Sequence, residues 1–359
     1  MGSWSRFGRR ELSAALRELD ELLAVTPQGA RQVTVIGPKG GATKTSTVAA
    51  VLHLLADRVA GMLVGVDCNA DKGTLTQRMG LARSQVPSRL VTLAQDPSAV
   101  QCPVDLSAYL DRVGRVHLLH NDGVPSRDVD LISRAQYTEL LVLLSRYAEI
   151  TFVDTGTSMV HPSTLAALDR ADHVVIAAAA EPPALQITTE GVAELVDLGH
   201  GPLISRSTMV ATVTDPAARP AAYAQGVDFF AARCGQVQVV PYDRAAGAVG
   251  AIRWNRLRPA TELAYARVSD HIIRSLLPAA GEAADEAPEF ASVIQGESPV
   301  TRWAPRVGDT PDRADAAYRP TGHGDAVEDP RVGVTETAVT AAETRLPEWA
   351  VDGHRTAHE

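Results

Sequence analysis

Gln32-Val33-Thr34-Val35-Ile36-Gly37-Pro38-Lys39-Gly40-Gly41-Ala42-Thr43-Lys44-Thr45-Ser46 is the stretch on which the reading of the whole chain turns. QVTVI is apolar and β-branched, as a buried strand is. GPKGGAT is a glycine-rich turn, and KTSTVAAVLHLLA has the apolar spacing of a helix. Strand, glycine-rich turn and helix in that order make the setting of a phosphate-binding loop. Its backbone N–H groups and the helix N-terminus converge on an anion. In such a loop Lys44 reaches the outer phosphates and Thr45 offers its hydroxyl to Mg²⁺. Gly40, Gly41, Ala42, Thr43 and Ser46 complete the cradle. Two residues depart from the ordinary pattern. Lys39 is a second lysine ahead of the glycines, and Thr43 stands where such a loop has glycine. Glycine serves there because it lacks Cβ and tolerates unusual φ. Thr43 therefore predicts nucleotide binding that persists in weakened form, with a larger penalty on hydrolysis.

The same stretch is singled out by composition. Of 34 basic residues only three are lysine: Lys39, Lys44 and Lys72. Lysine is a compact, flexible point charge and arginine a broad fork, so the two do not exchange in a tight pocket.

Outward from this loop, short β-branched runs alternate with helical stretches. The runs are Val33–Ile36, Met62–Val66, Val116–Leu119, Ile150–Val153, His173–Ala177, Met209–Val213 and Val237–Val240. Helical spacing fills Thr45–Ala60, Tyr137–Tyr147, Leu185–Leu198 and Ala260–Leu277. Such alternation predicts an α/β fold: a doubly wound, mostly parallel sheet with helices on both faces. Three segments follow: a helical extension at 1–30 (helix Glu11–Ala24), a phosphate-loop domain at 31–277, and a tail at 278–359 with a short helix around Glu336–Thr344.

Charge separates the tail from the rest. Residues 281–359 hold 16 acidic and 7 basic side chains, so the chain's formal charge of −9 resides there and the first 280 residues are balanced. Few apolar residues and high net charge predict disorder for the tail. No apolar run approaches the roughly 20 residues of a membrane span, and the N-terminus has no signal-peptide core. Cys68, Cys102 and Cys234 form no CxxC pair, so neither a disulfide framework nor a metal cluster is indicated. A cytoplasmic protein with no integral membrane segment is expected.

The arrangement Lys-Gly-Gly-x-x-Lys-Thr at Lys39–Thr45 resembles the deviant Walker A motif of the ParA/MinD family of P-loop NTPases, a SIMIBI-type fold. Further stretches fit the family in order along the chain. Val66-Asp67-Cys68-Asn69-Ala70-Asp71-Lys72-Gly73-Thr74-Leu75 resembles its first switch, with Asp67 near Mg²⁺ or its waters. Asn69 stands where many members have an Asp associated with the attacking water, and Ala70 replaces a proline. Ile150–Asp154 resembles Walker B, with Asp154 holding a Mg²⁺-bound water and Gly156 near the γ-phosphate. Asp215, after Val213-Thr214, and Pro241 and Asp243, in Pro241-Tyr242-Asp243, fall where the family contacts the base. The spacing most resembles MinD-like ATPases of actinobacteria, some of which accompany specialised secretion systems.

The resemblance covers about residues 31–277. It implies a protein that binds ATP and Mg²⁺, forms an ATP-dependent homodimer and hydrolyses ATP slowly. Such a protein positions a partner complex: chromosome or plasmid, division apparatus or secretion machinery. It assigns Lys39 to phosphates bound by the other subunit. Asn can orient a water but cannot take its proton, so Asn69 predicts slow turnover. The alternative is a nucleotide-binding scaffold with little or no hydrolysis. A P-loop synthetase or small-molecule kinase is a third reading, in which Lys39 would be redundant. The acidic tail is a candidate docking segment for a protein partner. Arg253-Trp254-Asn255-Arg256-Leu257-Arg258, with Arg244, Arg267 and Arg274, is where nonspecific DNA could bind, but the balanced charge of residues 1–280 favours a solvated face.

Overall fold

The computed structural model describes residues 4–24, 29–41, 43–69, 73–81, 89–121 and 132–277. Ala42, the switch residues Ala70, Asp71 and Lys72, and the whole of 278–359 lie outside them. One sheet holds eight strands: β1 (Arg31–Ile36), β2 (Leu63–Asp67), β3 (Asp111–Val113), β4 (Val116–Leu119), β5 (Ile150–Asp154), β6 (His173–Ala179), β7 (Thr208–Thr212) and β8 (Gln236–Val240). Their order is β3-β4-β2-β5-β1-β6-β7-β8, parallel throughout except for the β3–β4 pair. The helices before β5 are α1 (Trp4–Ala24), α2 (Lys44–Leu55), α3 (Leu75–Met79), α4 (Arg89–Gln95), α5 (Pro103–Ser107) and α6 (Arg134–Leu144). After it come α7 (Pro162–Asp169), α8 (Pro182–Leu195), α9 (Gly201–Ser205), α10 (Pro220–Ala231), α11 (Arg244–Gly247) and α12 (Pro259–Leu276).

Alternation along each strand shows why helices cover both faces. Val33 and Val35 of β1, Ile150 and Phe152 of β5, and Val175 and Ala177 of β6 join one cluster with α2 and α12. Their neighbours turn the other way. Val64, Val66 and Val153 meet α4, α6 and α7, and Val174, Ile176 and Ala178 meet α8 and α10. Two buried polar residues sit within β1 and are satisfied there. Gln32 Nε2 and Thr34 Oγ1 both donate to the Ala167 carbonyl in the last turn of α7, at 2.7 and 2.9 Å. Such a carbonyl has no partner inside its own helix.

The expected strands are all present. No sequence signal marks β3, which is three residues long and two-thirds charged. Those traits suit a sheet edge, where they discourage further pairing. Asp111 there binds Arg89 at 3.0 Å and His120 at 2.7 Å. The N-terminal helix begins earlier than its apolar pattern suggests and packs on α12. Leu19 is wholly buried, and Leu12, Leu16, Leu22 and Leu23 cover the α2–α12 cluster.

Candidate functional site

The C-terminal ends of the central strands bring the motif residues together, the crevice where open α/β sheets bind ligands. β1 ends at Ile36 and its loop returns to α2 at Lys44. Gly41 has φ +78°, and Cβ atoms built on Gly40 and Gly41 meet nothing within 4 Å. The loop is thus an open cradle of backbone.

Thr43 takes φ 64° and ψ 13°, the left-handed conformation that glycine favours. No other non-glycine among the described residues has positive φ. Its hydroxyl bonds Thr212 Oγ1 at the end of β7, at 2.9 Å, and its carbonyl accepts from Thr47 N to open the helix. The cost of order 1 kcal/mol for such a backbone is matched by a hydrogen bond worth about the same. The threonine therefore fits the loop without distorting it, and the geometry gives no steric reason for weakened binding.

Lys44 is buried, and its Nζ donates to the Gly37 carbonyl at 2.8 Å. Burial pushes its pKa down, with Asp154 opposing. Lys39 is half-buried and makes no hydrogen bond or ion pair among the described residues.

β2 and β5 are adjacent, in a register that sets Asp67 beside Asp154. Both carboxylates are fully buried. Asp67 accepts from Asn69 N at 3.1 Å and from Leu75 N at 3.0 Å. A Cβ on Gly73 would lie 2.2 Å from Asp67 Oδ2, so a larger residue there must displace that carboxylate. Asp154 Oδ2 accepts from the Thr45 hydroxyl at 2.6 Å, whereas its Oδ1 is buried without a partner among the described residues. Burial pushes Asp154 up to about 6, against the Thr45 bond and Lys44, which lower it. An orphaned buried carboxylate oxygen, beside a hydroxyl and an open glycine cradle, fits Mg²⁺ bound together with a polyphosphate. Among the described residues no group of three His, Cys, Asp or Glu could hold a metal unaided, so phosphate and water oxygens would complete its shell.

Asn69 lies at the rim, its carbonyl bonded by Asn121 Nδ2 at 2.6 Å. Its Oδ1 is 3.5 Å from where a Cβ on Gly156 would be, so the two switch stretches meet. On the base side, Asp215 is exposed and closes its own turn through Ala217 N. Asp243 is buried with both oxygens engaged, by Ala245 N at 2.9 Å and Arg258 N at 2.7 Å. Its carboxylate therefore caps α11 and ties down the start of α12, leaving backbone as what this turn offers a base. Pro241, half-buried, precedes it. Arg244, Arg256 and Arg258 line an open concavity of about 610 Å³ with Tyr242 and Ala248.

One residue at this end was missed. Arg78 on α3 is half-buried and donates to Ser46 Oγ at 2.8 Å, to the carbonyls of Ala248 and Gly250 at 2.6 and 3.0 Å, and to that of Ala246. An arginine three residues into a short helix carries no motif, and only the fold shows what it meets.

No family model matches the chain. EspI of Mycobacterium tuberculosis, an ESX-1 secretion-associated protein, is 26% identical over 241 residues. That stretch is 65% of this chain and 35% of EspI, so the chain spans about a third of the length of the curated relatives it matches. Among solved structures, the cell division ATPase MinD of Pyrococcus furiosus gives a TM-score of 0.53 at 17% identity, covering 68% of this chain and 99% of that one. Cyanothece McdA in its ATP complex gives 0.52 at 18% identity, covering 68% and 97%. With its parallel sheet, glycine-rich loop and paired aspartates, the chain has the fold of the ParA/MinD-like P-loop ATPases.

Proposed function

We propose that the chain is an ATP- and Mg²⁺-dependent switch of the ParA/MinD kind, which dimerises around nucleotide and hydrolyses it slowly. The observation that carries this reading is Asp154: one oxygen held by Thr45, the other buried without a partner among the described residues, next to a cradle of open glycine backbone. Mg²⁺ supplies charge neutralisation at the phosphates. Thr45, Asp154 and Asp67 would hold it and its waters, and Asp67 also fixes the switch loop through Leu75 N. Lys44 exchanges the Gly37 carbonyl for phosphate oxygens, which repay its buried charge. Gly40, Gly41, Thr43 and Ser46 bind through the loop and the start of α2. Asn69 orients the attacking water but cannot take its proton, which makes turnover slow. Lys39, free of partners among the described residues, contacts the phosphates of a second copy and stabilises their charge only in the dimer.

The output is positional. The likeness to EspI favours a secretion machine as the positioned partner over chromosomal DNA, and the balanced charge of residues 1–280 agrees. No helix among the described residues is long and apolar enough to cross a membrane. We place the protein in the cytoplasm, with its acidic tail available to a protein partner. The second reading, a scaffold that binds ATP with little turnover, is favoured by Asn69 alone, since Thr43 fits its loop.

Light scattering and phosphate release on wild type, Lys39→Ala and Asn69→Asp test these readings. Wild type should dimerise with ATP-Mg²⁺ and release phosphate slowly, Lys39→Ala should stay monomeric, and Asn69→Asp should turn over faster. Dimerisation without phosphate release selects the scaffold. Full dimerisation by Lys39→Ala removes the role given to that lysine.

A further inference from the structure

Arg78 occupies a junction that the proposed chemistry does not use. Its helix, α3, starts at Leu75, whose N–H is held by the Asp67 carboxylate. Its guanidinium reaches Ser46, next to the metal-side Thr45, and the carbonyls of Ala246, Ala248 and Gly250 in the stretch after the Pro241-Tyr242-Asp243 turn. Its own carbonyl accepts from Ile252 N at 2.8 Å. Residues 246–252 are thus wrapped around one side chain, while Val249 at their tip is fully exposed. Among the described residues the guanidinium has only neutral acceptors, no ion pair and a buried Nε without a partner. A half-buried cation with no counter-charge carries a desolvation cost, and burial pushes its pKa down. Arginine's planar fork spans several acceptors at once, as the point charge of lysine does not.

We infer that Arg78 is a positioning residue that makes the start of α2, the switch helix α3 and residues 246–256 respond as one body to nucleotide. This inference rests on the nucleotide reading above. Asp67 grips α3 from the metal side, and Arg78 carries any shift of α3 to the loop bearing Arg253 and Arg256. The nucleotide state is thereby displayed on a cationic surface outside the phosphate loop.

Hydrogen–deuterium exchange on the full chain, titrated with ATP and Mg²⁺, tests it. In wild type, protection should appear in residues 37–48 and in 246–256 with the same midpoint. Arg78→Lys keeps the charge and loses the fork. It should retain protection at 37–48 with a midpoint raised about tenfold, the cost of one to two hydrogen bonds, and lose the response at 246–256. An arginine that merely braced the loop would instead speed exchange there in the free protein and leave the nucleotide response intact. Protection of 37–48 alone in wild type would overturn the inference, as would an unchanged response in Arg78→Lys. The wild-type result needs no variant and decides even if Arg78→Lys fails to fold. Absence of any protection at 37–48 in wild type would sink the nucleotide reading and this inference with it.

Discussion

Thr43 shows how a side chain and a backbone can disagree at one position and still settle. Its left-handed φ opposes a Cβ, and its hydroxyl recovers the loss through Thr212. Thr43→Ala keeps the backbone cost and discards the bond, so it should lower stability by about 1 kcal/mol. Thr43→Gly discards both, and its unfolding midpoint should stay near wild type. Urea melts of the two variants check this, and a Thr43→Ala melt matching wild type would remove the Thr212 bond as a stabiliser. Asp154 is a sharper conflict, because its native pKa of about 6 lies above the ordinary 3.8. Its contribution to stability is fully present below 3.8 and is lost as pH rises through about 6. In the free protein at pH 7.5, Asp154→Asn should be more stable than wild type by up to roughly 3 kcal/mol, less what Lys44 loses with its counter-charge. The same variant should bind ATP-Mg²⁺ far more weakly. Unfolding free energies from pH 4 to pH 8, with nucleotide titrations, test both halves. A variant less stable than wild type at pH 7.5 would refute the conflict.

At the scale of elements, α1 and the starts of β6 and β7 carry separate expectations. Leu19 anchors α1 in the cluster of α2 and α12, so Leu19→Ala should cost about 2–5 kcal/mol, measured by chemical denaturation. A loss under 1 kcal/mol would mean that α1 merely lies on the surface. At the start of β6, His173 bonds Thr208 Oγ1 at 2.8 Å and stacks edge-on with His271 of α12 at 5.6 Å. Burial first, then His271 and Arg206, push its pKa down to about 3. Below the ordinary 6.5 the unfolded chain takes up a proton that native His173 refuses. Stability is therefore full above 6.5 and falls as pH drops toward 3, by about 1.4 kcal/mol per pH unit. This opposes the Asp154 effect between 3.8 and 6, so the two are separated by variants. His173→Gln should move acid unfolding to lower pH, as followed by circular dichroism, and an unmoved midpoint would clear His173. β3 belongs to this scale too. Its three residues carry no apolar period, and pairing with β4 is what makes them a strand.

For the whole molecule, the uneven charge sets an expectation of its own. A chain ending at residue 280 loses the whole formal charge of −9. Since the α2–α12 core is complete by Leu276, its thermal midpoint should match that of the full chain, while near-zero net charge should make it aggregate more readily. Calorimetry and turbidity read the two properties separately, and a lower midpoint would mean that the tail packs on the core. The alternating fold and the phosphate loop were legible because both are written in local order. Strand runs, helical spacing and the Lys39–Ser46 stretch need only neighbours along the chain. Asp67 and Asp154 were legible one by one as carboxylates at strand ends. Their side-by-side placement, and the unpartnered Oδ1 that follows from it, came only from the β2–β5 register. Thr43 was legible only as a departure from glycine, and its bond to Thr212, 169 residues away, came from the fold. Asp243 was legible only as a residue of the base-side turn, and its bond from Arg258 N, just before α12, came from the fold. Arg78 gave no signal at all, because its acceptors are backbone carbonyls, which every residue carries. The sequence by itself determined the strand-and-helix alternation and the chemistry of the loop, since hydrophobic period and glycine placement act over a few residues. Tertiary structure alone decided which buried polar atoms are satisfied, because a distant partner is a matter of sheet order and packing, not of spacing along the chain.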